Sequence, residues 1–340
     1  MKPFPSVRTA LRSLRASATT TALALAIAVF SLFASTRTAS AEVVRVGHDF
    51  WVGYAAVFIA EAEGFYDDEG LDVRLVSFPG PGDSLPPLIA GQLDLNLTTL
   101  HNIALMSAQQ DTPIDVLYLL DVSLGADAIV ADKSIKTVKD LKGKKIAVTL
   151  NEVNHMLLKL ALESAGLTED DVQLVNLDGT AAGSAFIAGR VDAACTWEPW
   201  ITRAQSTGEG HVVFSTKDVP DTFINVVCAT EKTQKQRSEM IMKFVRATDR
   251  GAGFLEANPQ EGIAIVAAKL EAPAADIKEM LTTDKILDLQ DSKELMVGPD
   301  SKIAETMGKV IDFLKERDLL NKPLAATDLI NDTFVSKAAE

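Results

Sequence analysis

The chain has 340 residues, with 47 acidic against 33 basic side chains and a formal net charge of −14 at pH 7. So acidic a surface makes nucleic acid a poor partner. With the basic leading segment set aside, about 300 residues remain, long for one core and natural for two lobes.

Residues 1–41 read as an export signal. Lys2, Arg8, Arg12, Arg15 and Arg37 occur there without an acid, an apolar run covers about 21–34, and Ala39-Ser40-Ala41 offers a small-residue cleavage site. The run is short for a membrane anchor, the rival reading, so the mature chain is expected to begin at Glu42 in the periplasm. Its loss leaves 28 basic residues against 47 acidic ones, a balance of −19. In an oxidising compartment Cys195 and Cys228 could pair, but each stands in an apolar strand-like run, which favours buried free thiols.

From 43 to 110 the pattern gives a strand (VVRVGHD), a helix after Tyr54, a strand (LDVRLVSF), a helix after Ser84, then a strand and a helix after Thr99. From 144 to 207 the order repeats: IAVTL, a helix after Asn151, VQLVNL, a helix after Gly179, AACTW and a helix from Pro199. The third strand of each unit carries one motif, LIAGQLDLNLTTL at 88–100 and AFIAGRVDAACTWEPW at 185–200. Gly91 and Gly189 sit where a helix must stop, a place that favours positive φ. Short apolar runs alternating with helices predict parallel sheets, so the fold class is α/β with two doubly wound lobes. The runs AIVA (128–131) and INVVCA (224–229) are expected to form a two-strand hinge. Lobe 1 is then 42–127, lobe 2 is 128–229, and 230–340 returns to lobe 1 as mostly helix.

Ligands of open α/β sheets bind at the carboxyl ends of the strands. Six predicted helix N-termini face that crevice, after Tyr54, Ser84, Thr99, Asn151, Gly179 and Glu198, and their free N–H groups suit an anionic head. The strand tips carry no base. They carry acids instead: Asp49, Asp121, Asp127, Glu152, Asp178 and Glu198 lie at or near strand ends and favour a cationic group. All three tryptophans fall at predicted cleft positions, and Glu198 between Trp197 and Trp200 has the makings of an ammonium or guanidinium site. Trp51, Tyr54, Thr98, Thr99, His101, Asp127, Asn151, Glu152, Trp197 and Glu198 are therefore the candidate ligand-binding residues. His101 and His155 open helices at corresponding places without metal-site spacing. The chain shows no GxSxG elbow, phosphate loop or zinc pair, and no metal, cofactor or catalysis is expected.

EAEGFYDDEGLDV (61–73), TVKDLKGKKIAV (137–148), the two AGxxD strands and TWEPW together resemble the periplasmic solute-binding proteins of nitrate/sulfonate/taurine-type ABC importers. The resemblance implies a type II periplasmic-binding-protein fold, a monomer whose lobes close on a small solute, and docking on an ABC permease in the inner membrane. The solute expected from the residues is amine-bearing or zwitterionic and taurine-like, its acidic head near Thr98, Thr99 and Asn151 and its amine near Glu198. Guanidinium, an aliphatic sulfonate and nitrate are the alternatives. A weaker resemblance to thiamine-precursor proteins leaves an enzyme as another class, and a ligand-sensing receptor is a further one.

Overall fold

A computed structural model describes residues 41–338; the expected signal segment lies outside the described residues, apart from Ala41. Eleven strands fall in two sheets among the described residues. The first contains β1 (Glu42–His48), β2 (Leu71–Ser77), β3 (Leu95–Thr99), β4 (Ile114–Ser123), β10 (Ile224–Thr230) and β11 (Asp284–Ile286), in the order β11-β4-β10-β3-β1-β2. The second contains β5 (Asp127–Asp132), β6 (Lys145–Val148), β7 (Gln173–Asn176), β8 (Ala193–Trp197) and β9 (Gly210–Ser215), in the order β7-β6-β8-β5-β9. We refer to these as the sheets of lobe 1 and lobe 2.

The helices that shape the crevice are α1 (Ala55–Ala62), α2 (Leu85–Ile89), α3 (Leu100–Gln109), α4 (Val153–Ser164), α5 (Gly179–Ile187), α6 (Trp200–Ser206), and α7 (Lys302–Glu316) from the carboxyl-terminal region. Ser/Thr/Asp caps start several of them. Thr99 accepts from Asn102 N–H and Asp178 from Ala181 N–H, each cap being worth ~1 kcal/mol.

The duplication seen in sequence is physical. Gly91 and Gly189 both take left-handed φ, 73° and 65°. Asp94 Oδ2 accepts from Arg45 N–H and Asp192 Oδ2 from Lys145 N–H, both at 2.8 Å, so the repeated aspartate braces the start of the neighbouring parallel strand in each sheet. The hydroxyls of Thr98 and Thr196 likewise donate to Pro81 O and Gly179 O, at 2.6 and 2.7 Å.

One expectation is corrected. The sheets are mixed: β2-β1-β3 and β7-β6-β8 are parallel, but β10 runs antiparallel to β3 and β4, and β5 antiparallel to β8 and β9. Each of these strands enters its sheet from the other lobe, at the carboxyl end of the parallel strands, and so can only run backwards. The runs 128–131 and 224–229 lie within β5 and β10. They are buried interior strands, and their apolar character reflects two covered faces. The chain crosses between the sheets at 124–126 and at 216–223. Ser123 and Thr216 share a hydroxyl–hydroxyl bond of 2.8 Å there, and Gly125 N–H donates to Thr216 Oγ1.

Cys195 on β8 and Cys228 on β10 are buried free thiols in different sheets. Among the described residues no helix is long and apolar enough to cross a membrane.

Candidate functional site

The carboxyl ends of the parallel strands of both sheets meet across a crevice with two compartments. The inner one is a cavity of about 60 Å³. The outer is a groove of about 750 Å³ that shares Asp49, Phe50, Pro81, Val153, Asn154 and Trp197 with it. A buried water needs roughly 10–15 Å³, so the inner cavity has room for a small solute only.

Lobe 1 contributes Asp49, Phe50 and Trp51 from the end of β1, Tyr54 before α1, and Thr99 to His101 at the head of α3. From lobe 2 come Asp127 at the start of β5, Val153 and Asn154 at the head of α4, and Trp197 at the end of β8. Thr222 and Phe223 enter from the second crossing and Asn225 from the start of β10. Aromatic and aliphatic faces make most of the wall, with few polar groups, as is usual for a small-molecule site.

The polar groups are tightly placed. Tyr54 OH donates to Asp49 Oδ1 at 2.9 Å. Trp51 Nε1–H donates to Asp121 Oδ2 at 3.2 Å and Asn225 Nδ2 to Asp121 Oδ1 at 2.9 Å. Asp121 is fully buried behind the wall, where it fixes an indole and an amide that face the cavity. Burial pushes the Asp49 carboxyl up to about 6, partly offset by the Tyr54 bond. Asp127 is pushed up to about 7 by burial and then by the negative charge of Glu198. Burial also raises Asp121 and, with Asp83 beside it, Glu152, each to about 7.

Among the described residues no Lys or Arg lines the inner cavity. Two carboxyls that ionise near neutrality, between aromatic walls, suit a cation or a donor-rich polar group. Arg203 lines the outer groove, its guanidinium 4.8 Å over the Trp200 ring.

Of the ten candidate residues, Trp51, Tyr54, Thr99, His101, Asp127 and Trp197 line the inner cavity. Glu152 lines only the outer groove. Three stand elsewhere. Thr98 is fully buried, its hydroxyl taken by Pro81 O and by Asn102 Nδ2. Asn151 acts through its backbone: its carbonyl accepts from His101 Nε2 and its N–H donates to His155 Nδ1. The Glu198 carboxylate turns away from both compartments into its own chain, accepting from Thr202 N–H and Thr202 Oγ1, both at 3.0 Å. Proximity in sequence to two tryptophans points Glu198 to the cavity; its hydrogen bonds with Thr202 make it a brace for the start of α6 instead.

Sequence reasoning passed over Phe50, Asn154, Thr222, Phe223 and Asn225. Asn154 could have been found as the second polar residue of the α4 start; the crossing residues carry no motif. Among the described residues no group of His, Cys, Asp and Glu is arranged to hold a metal ion.

Residues 51–262 match the family model described as NMT1/THI5 like. The chain is 28% identical over 302 residues to a binding protein of Brucella abortus (strain 2308), covering 86% of this chain and 92% of that one. It is 25% identical over 294 residues to the formylaminopyrimidine-binding protein of Halalkalibacterium halodurans, covering 84% and 89%. Among solved structures, the periplasmic aliphatic sulphonate binding protein of Escherichia coli superposes with a TM-score of 0.72 at 24% identity, over 86% of this chain and 92% of that one. That last likeness is one of fold.

Proposed function

The chain belongs to the NMT1/THI5-like family, as a periplasmic solute-binding protein of the type that serves ABC importers and binds without catalysing, and on that premise we propose that its solute is a small amine-bearing or zwitterionic organic molecule. The solute enters the crevice, the lobes hold it in the inner cavity, and the loaded monomer docks on its membrane permease. The observation that carries the reading is the pair Asp127 and Asp49, two buried carboxyls on a wall of Trp51, Tyr54 and Trp197 to which no Lys or Arg among the described residues contributes.

A relative named for formylaminopyrimidine is consistent with nitrogen-bearing cargo. A bare sulfonate or nitrate would meet two carboxylates and no opposing cation, which costs affinity at neutral pH. An acidic head at the far end of a zwitterion finds the starts of α1, α3 and α4. A thermal-shift screen of taurine, guanidinium, small primary amines, ethanesulfonate and nitrate tests this. A true solute at 100 times its Kd stabilises by ~2.7 kcal/mol. Amine-bearing compounds are expected to give that response; a response confined to ethanesulfonate or nitrate would refute the reading.

A further inference from the structure

His101 lies in lobe 1, at the head of α3, and is only 1% exposed. Its Nε2 is 2.8 Å from the carbonyl oxygen of Asn151, which belongs to lobe 2. A carbonyl only accepts, so Nε2 carries a proton. Burial, and His155 nearby, push the ring down to about 4, so it is neutral and its second nitrogen is bare. That nitrogen, Nδ1, is buried with no hydrogen-bond partner among the described residues, on a ring that lines the inner cavity. Both side-chain atoms of Asn154, on the opposite lobe, are in the same condition and line the same cavity.

The tautomer is held from several sides. Asn151 has a left-handed φ of 66°, and its N–H donates to His155 Nδ1 at 2.9 Å. Phe313 of α7 packs against both imidazoles, with centroids 5.7 and 6.0 Å away. Arg317 lies 4.7 Å over the Phe313 ring and pairs with Glu169, whose Oε1 stands 3.2 Å from His155 Nε2. The proton on His101 is thus assigned by a bond that exists only when the two lobes meet.

We propose that His101 is a specificity-determining residue that requires an N–H or O–H donor on the solute, taking that hydrogen at Nδ1 while its Nε2–H joins the lobes through Asn151. A buried acceptor left unmatched is costly, whereas a solute donor satisfies it at the moment of closure. The assignment rests on the amine reading of the cavity and deepens it, because a solute can present a donor here as well as a cation to Asp127. It discriminates against donor-free solutes of equal size by roughly ten- to a hundredfold.

The test pairs taurine and guanidinium, which bear donors, with ethanesulfonate, which has taurine's skeleton without the amine. Calorimetry on the wild type, His101→Gln and His101→Asn is combined with the ¹⁵N resonances of His101. Gln places an amide near Nε2 and keeps the bond to Asn151, whereas Asn places an acceptor near Nδ1 and gives that bond up. Saturation with a donor-bearing probe should move the bare Nδ1 resonance toward the hydrogen-bonded range. His101→Gln should weaken that probe tenfold or more, and His101→Asn should keep its preference over ethanesulfonate while closing less in small-angle scattering. A donor probe that binds the wild type with an unmoved Nδ1 resonance, or with unchanged affinity in His101→Gln, overturns the assignment alone. Failure of both donor probes to bind the wild type overturns the amine reading and this assignment with it.

Discussion

Asp127 and Trp197 are register partners on the antiparallel pair β5 and β8, so a carboxylate and an indole rise together from one end of the lobe 2 sheet into the inner cavity. Glu198 is the acid next to Trp197 in the chain, but Asp127 is the one that shares the cavity with it. Directly opposed residues on antiparallel strands lie on one face, whereas sequence neighbours on a strand point to opposite faces.

Glu198→Gln should therefore act on stability and leave binding nearly unchanged. Its carboxylate accepts twice from Thr202 in the first turn of α6, where a negative charge also favours the helix dipole. We expect a loss of ~1 kcal/mol in a melting curve and less than a twofold change in amine affinity by calorimetry at pH 8. Tenfold weaker binding at native stability would return Glu198 to the site.

The pH dependence has opposite signs for stability and for binding. Asp49, Asp121, Asp127 and Glu152 have folded pKa values of about 6 to 7, above their unfolded values near 4, so the folded chain holds protons that the unfolded chain releases. Stability of the solute-free protein should fall as pH rises from about 4 through about 7 and level off above, less steeply below about 6.5, where the buried imidazoles of His101 and His155, lowered to about 4, contribute the opposite sign. Surface carboxylates lowered by their partners, such as Asp140 and Asp171, contribute the reverse effect only below about pH 4. An amine prefers Asp127 and Asp49 ionised, so its affinity should rise from pH 5 to pH 8. Melting temperatures with and without taurine at four pH values would show the stabilisation by taurine growing with pH; a shrinking one would mean the solute is read as an anion.

Two glycines permit the tryptophans their places. A Cβ on Gly53 would lie 1.9 Å from Asp121 Oδ2 and 2.4 Å from Trp51 Nε1, and one on Gly179 would lie 2.1 Å from the Trp197 ring. Gly53→Ala should break the Trp51–Asp121 bond, and Gly179→Ala should displace Trp197. Each should cost ~1–3 kcal/mol and weaken solute binding. Unfolding curves and tryptophan fluorescence check this; native melting with an unshifted emission maximum would contradict it.

Much of this was legible in the chain. The repeated AGxxD motif gave both parallel β3 and β8, the glycine stops and the capped helix starts, because apolar periodicity and left-handed φ are local demands. The antiparallel direction of β5 and β10 is not visible in the chain, because an apolar run looks alike whether its strand runs with its neighbours or against them. Trp51, Tyr54, Asp127 and Trp197 were found as polar or aromatic residues at strand ends. Glu198, Thr98 and Asn151 share that signature but spend their polar atoms on Thr202, Pro81 and His101, which only tertiary structure reveals. Phe223 sits on a crossing, and Asn225 at the start of β10 just beyond it, where the course of the chain depends on the whole fold.

If Asp127 receives a cationic group in the inner cavity, calorimetric titration of taurine, guanidinium and ethanesulfonate into the wild type and Asp127→Asn at pH 8 will show it. Asn keeps the shape and removes the charge. Losing one member of a desolvated pair costs ~2–5 kcal/mol, so the amine-bearing solute should bind the wild type and weaken by roughly thirtyfold or more in the variant. The solute-free variant should melt no lower than the wild type, since a buried carboxyl raised to about 7 by desolvation has been neutralised. Ethanesulfonate binding that persists or tightens in Asp127→Asn, with no amine binding to either protein, would contradict the account.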